Sequence, residues 1–206
     1  MISGKIQFVR SGYAIPPTGY IFYKKGDQVT IKFGRIVLRP LKESDLVQFS
    51  LYRSDLEVAR FQSWSAPYSL IQARELLIRM LVNPMGTPGE WFSFAITLEE
   101  PGALIGDCAF QILANDNLQA QFGITLSRKF QGKGYASETI TALFHFLFDR
   151  FNLHRIFAVC DVKNVASYTL LERVGMRREA TFIENIFFKG EWGSEYLYAL
   201  LDREWK

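Results

Sequence analysis

One stretch constrains the fold of this chain more than any other. Residues 118–162 run from a strand-like segment through a glycine-punctuated turn into a long helical pattern, then into a second strand-like segment. The first segment, "LQAQFGITL", follows the turn residues "ANDN". In 134–150 and just beyond, apolar side chains fall at Ala136, Ile140, Leu143, Phe144, Leu147 and Phe151. That i, i+4, i+7, i+8 spacing belongs to a helix burying one stripe. The second segment, "HRIFAVCDV", is apolar enough to predict a strand buried on both faces. A strand, a helix and a strand in this order make a crossover, which puts a parallel pair into one sheet with a right-handed connection.

The patterns around the crossover are antiparallel. "EWFSFAITL" and "ALIGDCAFQIL" meet through "EEPG", and "ATFIENIFF" and "SEYLYALLD" meet through "KGEWG". Both read as hairpins. "RIVLRPL" is a strand leading into a short helix in "KESDLVQFSLY". "SLIQARELLIRML" is an amphipathic helix capped by Ser69, with Ile71, Leu76, Leu77, Met80 and Leu81 on its buried side. A further helix starts at Asn164, a good N-cap, and stops at Gly175, the expected residue past a helix end. The class is α/β, with a mixed, mostly antiparallel sheet flanked by helices. Residues 1–33 differ in pattern: "YIFY" and "VTIKF" flank "KKGDQ" as a hairpin, and "AIPPTG" upstream breaks regular structure. They read as an extension of unknown role, an added edge hairpin or an oligomer contact. Residues 34–206 form the main domain.

Composition narrows the function classes. With 206 residues, 49% of them apolar, the chain suits one globular domain with an appendage. No apolar run approaches the roughly 18 residues of a membrane span, and the start "MISGKIQFVRSGY" lacks the apolar core of a signal peptide. A cytoplasmic protein without membrane contact is expected. Residues 1–33 carry Lys5, Arg10, Lys24, Lys25 and Lys32 against Asp27, a net of +4, while the whole chain is +3. The main domain is therefore slightly acidic, which argues against nucleic acid as a partner. Cys108 and Cys160 lie singly in apolar strands, and His145 and His154 have no ligand-spaced neighbours, so neither a disulfide nor a metal site is expected.

The chemistry concentrates in "FQGKGYASETI" at 130–140. Two glycines at a strand-to-helix junction let successive backbone N–H groups form an anion-binding nest continued by the helix start. Lys133 would add charge at the rim. A plain glycine turn with a solvated lysine accounts for the same residues. The G-x-x-x-x-G-K-[ST] phosphate loop is absent, and the third glycine of a dinucleotide fingerprint is missing after Tyr135-Ala136.

Several ordered motifs together carry a resemblance. "QGKGYA" resembles the Q/R-x-x-G-x-G/A signature of the GNAT superfamily of N-acetyltransferases, and "NVASYTLLERVGM" resembles its N-x-x-S-x-x-x-L-E-x-x-G-F segment one strand later. "RIVLRPLKESD", "GDCAF" and "KGEWGSEYLYALLDREW" are similar to the RimJ/RimL-type branch, which modifies ribosomal-protein N-termini. The likeness covers about 34–206. It implies a GNAT-like sheet with a splayed parallel pair, acetyl-CoA as co-substrate and an amine as acceptor. It further implies that the amides of Gln131, Gly132, Lys133, Gly134, Tyr135, Ala136 and Ser137 cradle the CoA pyrophosphate. The strand ending at Ile124-Thr125-Leu126 would offer free backbone groups to pantetheine and the thioester oxygen, and Asn164 would reach the pantetheine arm.

Direct transfer needs a neutral amine and a proton donor for the departing thiolate. Where many relatives place a donor tyrosine, this chain has Leu171; Ser167 is the branch's alternative, and Glu179 matches its carboxylate base. Helix capping for Ser167 and a solvated strand position for Glu179 compete with those roles. Gln121 stands where an acidic residue is common, Met176 where Phe is usual, and Ala180 where Gly is usual. Trp64 is either an acceptor-site wall or an ordinary buried aromatic. The expected activity is acetyl transfer to a primary amine, a protein N-terminus first, with a small amine such as an antibiotic or polyamine as one alternative. A CoA-binding sensor without turnover is the other. The assembly allows a homodimer.

Overall fold

The computed structural model describes residues 13–14, 21–25 and 28–205, with side chains from residue 29 onward. Ten strands form one sheet: β1 (Tyr13–Ala14), β2 (Ile21–Lys25), β3 (Gln28–Phe33), β4 (Ile36–Pro40), β5 (Trp91–Leu98), β6 (Leu104–Ile112), β7 (Gln119–Leu126), β8 (Arg155–Asp161), β9 (Arg177–Phe188) and β10 (Glu191–Leu201). Their spatial order is β1-β2-β3-β4-β5-β6-β7-β8-β10-β9. Every neighbouring pair is antiparallel except β7 and β8. The mixed, mostly antiparallel sheet expected from the hairpin patterns is the one observed.

The last hairpin enters inverted, with β10 inside against β8 and β9 at the edge. Composition explains the choice: Tyr198 to Leu201 of β10 are buried, whereas nearly all of β9 is exposed. At the opposite edge, β2 pairs with β3 and β3 with β4. Val29 and Ile31 sit in the core, so the residues just before 34 pack as part of the sheet. Residues 26–27, where the sequence predicts the turn in "KKGDQ", and most of "AIPPTG" lie outside the described residues.

Helices cover the two faces unequally. On one face lies α4 (Tyr135–Phe151), whose Phe144 meets Phe122 of β7 at 4.9 Å and whose Phe146 meets Phe94 of β5 at 5.7 Å. The apolar stripe of α4 is as the spacing predicts, with Ile140, Leu143, Phe144 and Leu147 all buried. The same face carries α5 (Val165–Arg173), packed on β9, β10 and α4. The other face carries α1 (Leu46–Arg53), α2 (Leu56–Ala59) and α3 (Leu70–Val82). There Tyr52 donates to Asp107 of β6 at 2.5 Å and Arg53 donates to the same carboxylate at 2.6 Å. Arg53 also lies over Trp64, its guanidinium carbon 3.9 Å from the ring centre.

Two facing assignments differ from the sequence reading. In α3 the buried residues are Ala73, Leu77 and Met80; Leu76 is half-buried, while Ile71 and Leu81 are 70% and 76% exposed. The helix lies against α1 and β5 along the i, i+4, i+7 row through Ala73, so the larger side chains beside that row point outward. In β8 burial alternates: Ile156, Ala158 and Cys160 are buried under the α4–α5 layer, but Phe157, Val159 and Asp161 are only half-buried. Helices α1 to α3 do not extend over this strand, so one of its faces stays partly open.

Candidate active site

The parallel pair holds over three residues only. Gln119, Ala120 and Gln121 of β7 pair with Arg155, Ile156 and Phe157 of β8. Beyond that point Phe122 to Leu126 keep their ladder with β6, while Ala158 to Asp161 keep theirs with β10. The facing edges therefore diverge into a wedge whose backbone groups have no strand opposite. Unpaired strand edges are ready to bond another extended chain or a ligand of similar shape.

The wedge opens onto the start of α4. A short turn over Arg128–Phe130 leads to Gln131, whose side chain donates to the Leu126 carbonyl at 2.9 Å. That bond ties the loop to the end of β7 and removes one carbonyl that the sequence reading left free for a ligand. The N-cap of α4 is Gly134 at φ +84°, with no side chain capping the helix. Only glycine adopts that left-handed conformation without strain. The opening turn of a helix leaves its N–H groups without intrahelical partners, so here they remain for an anion.

Across the wedge, Asn164 caps α5 by accepting the Ser167 N–H at 3.2 Å through its side-chain oxygen. The cap uses the oxygen and leaves the amide NH₂. Beside Ser167, the Cys160 thiol has its pKa pushed up to about 11, chiefly by burial.

These parts line one cleft of about 840 Å³. Of the cofactor-binding candidates, Ile124, Leu126, Gln131, Gly132, Gly134, Tyr135, Ala136, Ser137 and Asn164 all line it, as does Ser167. Lys133 does not: its carbonyl faces outward to the Arg35 guanidinium, 2.8 Å away, and its ammonium lies 5.8 Å from the Phe130 ring centre. The cleft's remaining walls went unnoticed in the sequence. Glu57, Val58, Phe61 and Gln62 close it from the α2 side, and Arg128 and Arg173 add positive charge. The stretch "LEVARFQ" has no motif spacing to single those residues out.

Glu179 stands apart from the cleft. Its carboxylate is held between Arg155 at 2.6 Å and Arg177 at 2.5 Å. Burial alone would raise its pKa, but the hydrogen bonds from the two guanidinium groups outweigh it and hold the carboxyl below its usual range. A carboxylate so stabilised is a poor proton acceptor, and Glu179 is not among the residues lining the cleft. Tyr168 also lies off the lining, packed edge-on against Tyr196 at 5.7 Å, and Leu171 is buried. Trp64 is a half-buried packing residue whose indole donates to the Arg53 carbonyl at 3.0 Å. Among the described residues no helix is long and apolar enough to cross a membrane, and no cluster of three metal-ligating side chains occurs.

A wedge between two parallel strands, continuous with an uncapped helix start, defines a site for a long ligand with an extended arm and an anionic centre. Comparison with known proteins gives it a family. Residues 35–177 match the acetyltransferase (GNAT) domain model. The crystal structure of the acetyltransferase (GNAT family) from Bacillus anthracis superposes with a TM-score of 0.75 at 30% identity, covering 85% of this chain and 99% of that one. The [ribosomal protein uS5]-alanine N-acetyltransferase of Escherichia coli (strain K12) is 27% identical over 61% of this chain and 65% of its own length. The spermidine N(1)-acetyltransferase of Vibrio cholerae is 32% identical over 35% of this chain and 42% of its own. The chain belongs to the GNAT acetyltransferase family and is an N-acetyltransferase.

Proposed function

We propose that the chain transfers acetyl from acetyl-CoA to the α-amine of a protein N-terminus, in a ternary complex and without a covalent enzyme intermediate. The observation that carries this reading is the single cleft shared by the β7–β8 wedge and the Gly134-capped start of α4. The pantetheine arm lies in the wedge as a surrogate strand, and the pyrophosphate lies on the amides of Gln131 to Ser137 with Arg128 and Arg173 nearby. The Asn164 amide NH₂ is a donor to the arm. A backbone N–H near Ile124, aimed at the thioester oxygen, stabilises the charge that develops there. Ser167 supplies a hydroxyl that can return a proton to the thiolate.

The acceptor follows from the bases the cleft offers. Its lining contains one carboxylate, Glu57, and no histidine. An α-amine with pKa near 8 is roughly one-tenth neutral at pH 7, whereas a lysine-type amine near 10.4 is neutral to about one part in two thousand. A site without a strong base suits the first. The E. coli relative that acetylates a ribosomal-protein alanine supports the same acceptor class, and the Vibrio spermidine enzyme supports a small polyamine as the second reading.

The test is acetyl transfer from acetyl-CoA to a panel of N-terminal peptides, including ribosomal-protein sequences, alongside polyamines and aminoglycosides. Transfer to peptide α-amines, mapped by mass spectrometry, is the expected result. Turnover confined to polyamines or aminoglycosides replaces the acceptor, and CoA binding without any turnover overturns the enzymatic reading.

A further inference from the structure

Arg35 sits in the two-residue turn between β3 and β4, about a hundred positions in sequence from the α4 loop. Yet four hydrogen bonds and a ring contact join it to that loop and the first turn of α4. Its Nη2 donates to the Lys133 carbonyl at 2.8 Å, and its Nε donates to Glu138 Oε1 at 2.9 Å. Nη2 also reaches Oε1, and the Arg35 backbone N–H donates to Oε2 at 2.8 Å. The guanidinium lies 4.4 Å from the Tyr135 ring centre. Two glycines make the approach feasible. A Cβ on Gly34, which has φ +55°, would fall 2.6 Å from Glu138 Oε2, and one on Gly134 would fall 3.3 Å from Arg35 Nη2.

We propose that Arg35 is a positioning residue for the anion-binding loop, acting on it in two ways; this rests on the assignment of that loop to the CoA pyrophosphate. The first is orientation. In a trans peptide the C=O and the following N–H point in opposite directions. Drawing the Lys133 carbonyl out toward the guanidinium therefore turns the Gly134 N–H inward, toward the cleft that Gly134 lines and Lys133 does not. The second is electrostatic. Glu138 is an acid in the first turn of α4, where the helix dipole favours negative charge and where a bound phosphate would meet it. The Arg35 fork closes on Oε1 through Nε and Nη2 while its backbone N–H takes Oε2, so the carboxylate is held and its charge offset on the outer side of the loop. A lysine cannot reproduce this, because one ammonium lacks the planar fork that bridges a carboxylate and a carbonyl together.

The test uses the full chain and titrates two ligands by calorimetry: CoA, and pantetheine, which has the arm without the pyrophosphate. Wild type should bind CoA at least about tenfold more tightly than pantetheine. Arg35→Ala should weaken CoA by about tenfold, the equivalent of one lost charge-assisted contact, and leave pantetheine within about twofold. Arg35→Lys should remain weak for CoA. Glu138→Gln in the Arg35→Ala background should recover part of the CoA affinity, because it removes the exposed charge, an effect that a loss of packing would not produce. Equal losses for both ligands, unchanged CoA binding in Arg35→Ala, or no recovery in the double variant overturns the proposal. Should Arg35→Ala fail to fold, Arg35→Lys bears the same test: CoA affinity equal to wild type overturns it. A wild-type protein that binds both ligands equally overturns the loop assignment itself, and the Arg35 role with it.

Discussion

Arg39 and Asp45 join the end of β4 to the short turn that precedes α1. Two side-chain bonds of 2.7 and 2.8 Å link them, and the Lys42 backbone N–H adds a third to the carboxylate at 2.8 Å. Burial would raise the Asp45 pKa, but these bonds outweigh it and lower the folded-state value below 3.8. A depressed carboxylate stabilises the fold fully above its unfolded pKa, and the contribution fades as pH falls through the folded value. Asp45→Asn should therefore lower stability by on the order of 2 kcal/mol at pH 7, with the gap to wild type closing in acid, as pH falls through the lowered folded-state value. Denaturant melts at neutral pH and in acid check this, and a gap that stays constant with pH would show the ion pair to be irrelevant. Residues differ in how far sequence reveals them, and the reason is the distance over which their partners act. Asn164 was legible because a cap acts on a backbone N–H three residues away. Arg35 was not, because its partners Lys133 and Glu138 lie 98 and 103 positions along the chain. Glu179 was legible as a carboxylate at a motif position, but the pairing with Arg155 and Arg177 that lowers its pKa is visible only in the folded sheet.

At the scale of elements, the crossover could be read because its periodicities are strong and change from two to 3.6 at glycines. The facing of α3 could not. The apolar residues of that helix are compatible with two neighbouring stripes, and only contact with α1 and β5 selects the one through Ala73, Leu77 and Met80. The openness of β8 had the same origin: an apolar strand reads as doubly buried until one sees that α1 to α3 stop short of it. The wedge depends on these elements keeping their register, and Asn164 lines the cleft where its cap can be separated from the proposed contact to the pantetheine arm. Asn164→Ala removes the cap and should cost about 1 kcal/mol of stability. Asn164→Asp keeps an oxygen for the Ser167 N–H, so its melting temperature should stay near wild type. It loses the amide NH₂ and presents a negative charge to the cleft, so its CoA affinity should fall by roughly tenfold, about what one contact to a charged group is worth. Thermal melts with parallel CoA titrations separate the roles. An Asp variant that binds CoA as wild type does would confine Asn164 to capping.

The whole molecule decides what the enzyme can do at a given pH. The acceptor must arrive neutral, and the protein has little with which to deprotonate it. The cleft lining contains neither histidine nor cysteine, the side chains whose ordinary titration falls between about pH 6 and 9. Burial pushes the Cys160 thiol beside Ser167 up to about 11. His145 is not among the cleft's lining residues; on the buried side of α4 it sits edge-on to the Trp205 ring, 5.0 Å between centres, where burial lowers its pKa. Through the neutral range, then, the pH dependence of kcat/KM reports the acceptor more than the enzyme, since that parameter follows the free reactants. With a peptide α-amine as acceptor, log kcat/KM should rise with unit slope from about pH 6 and level off near pH 8. With a polyamine or lysine acceptor the rise should continue beyond about pH 9.5, because those amines remain mostly protonated there. A peptide profile that levels off a full unit or more below the acceptor's own pKa would reveal a protein base, and Glu57, the cleft's one carboxylate, is the first residue to replace by Gln. A profile that follows the amine, whichever peptide is used, means that the fold contributes orientation and an oxyanion contact, and leaves deprotonation to the solvent.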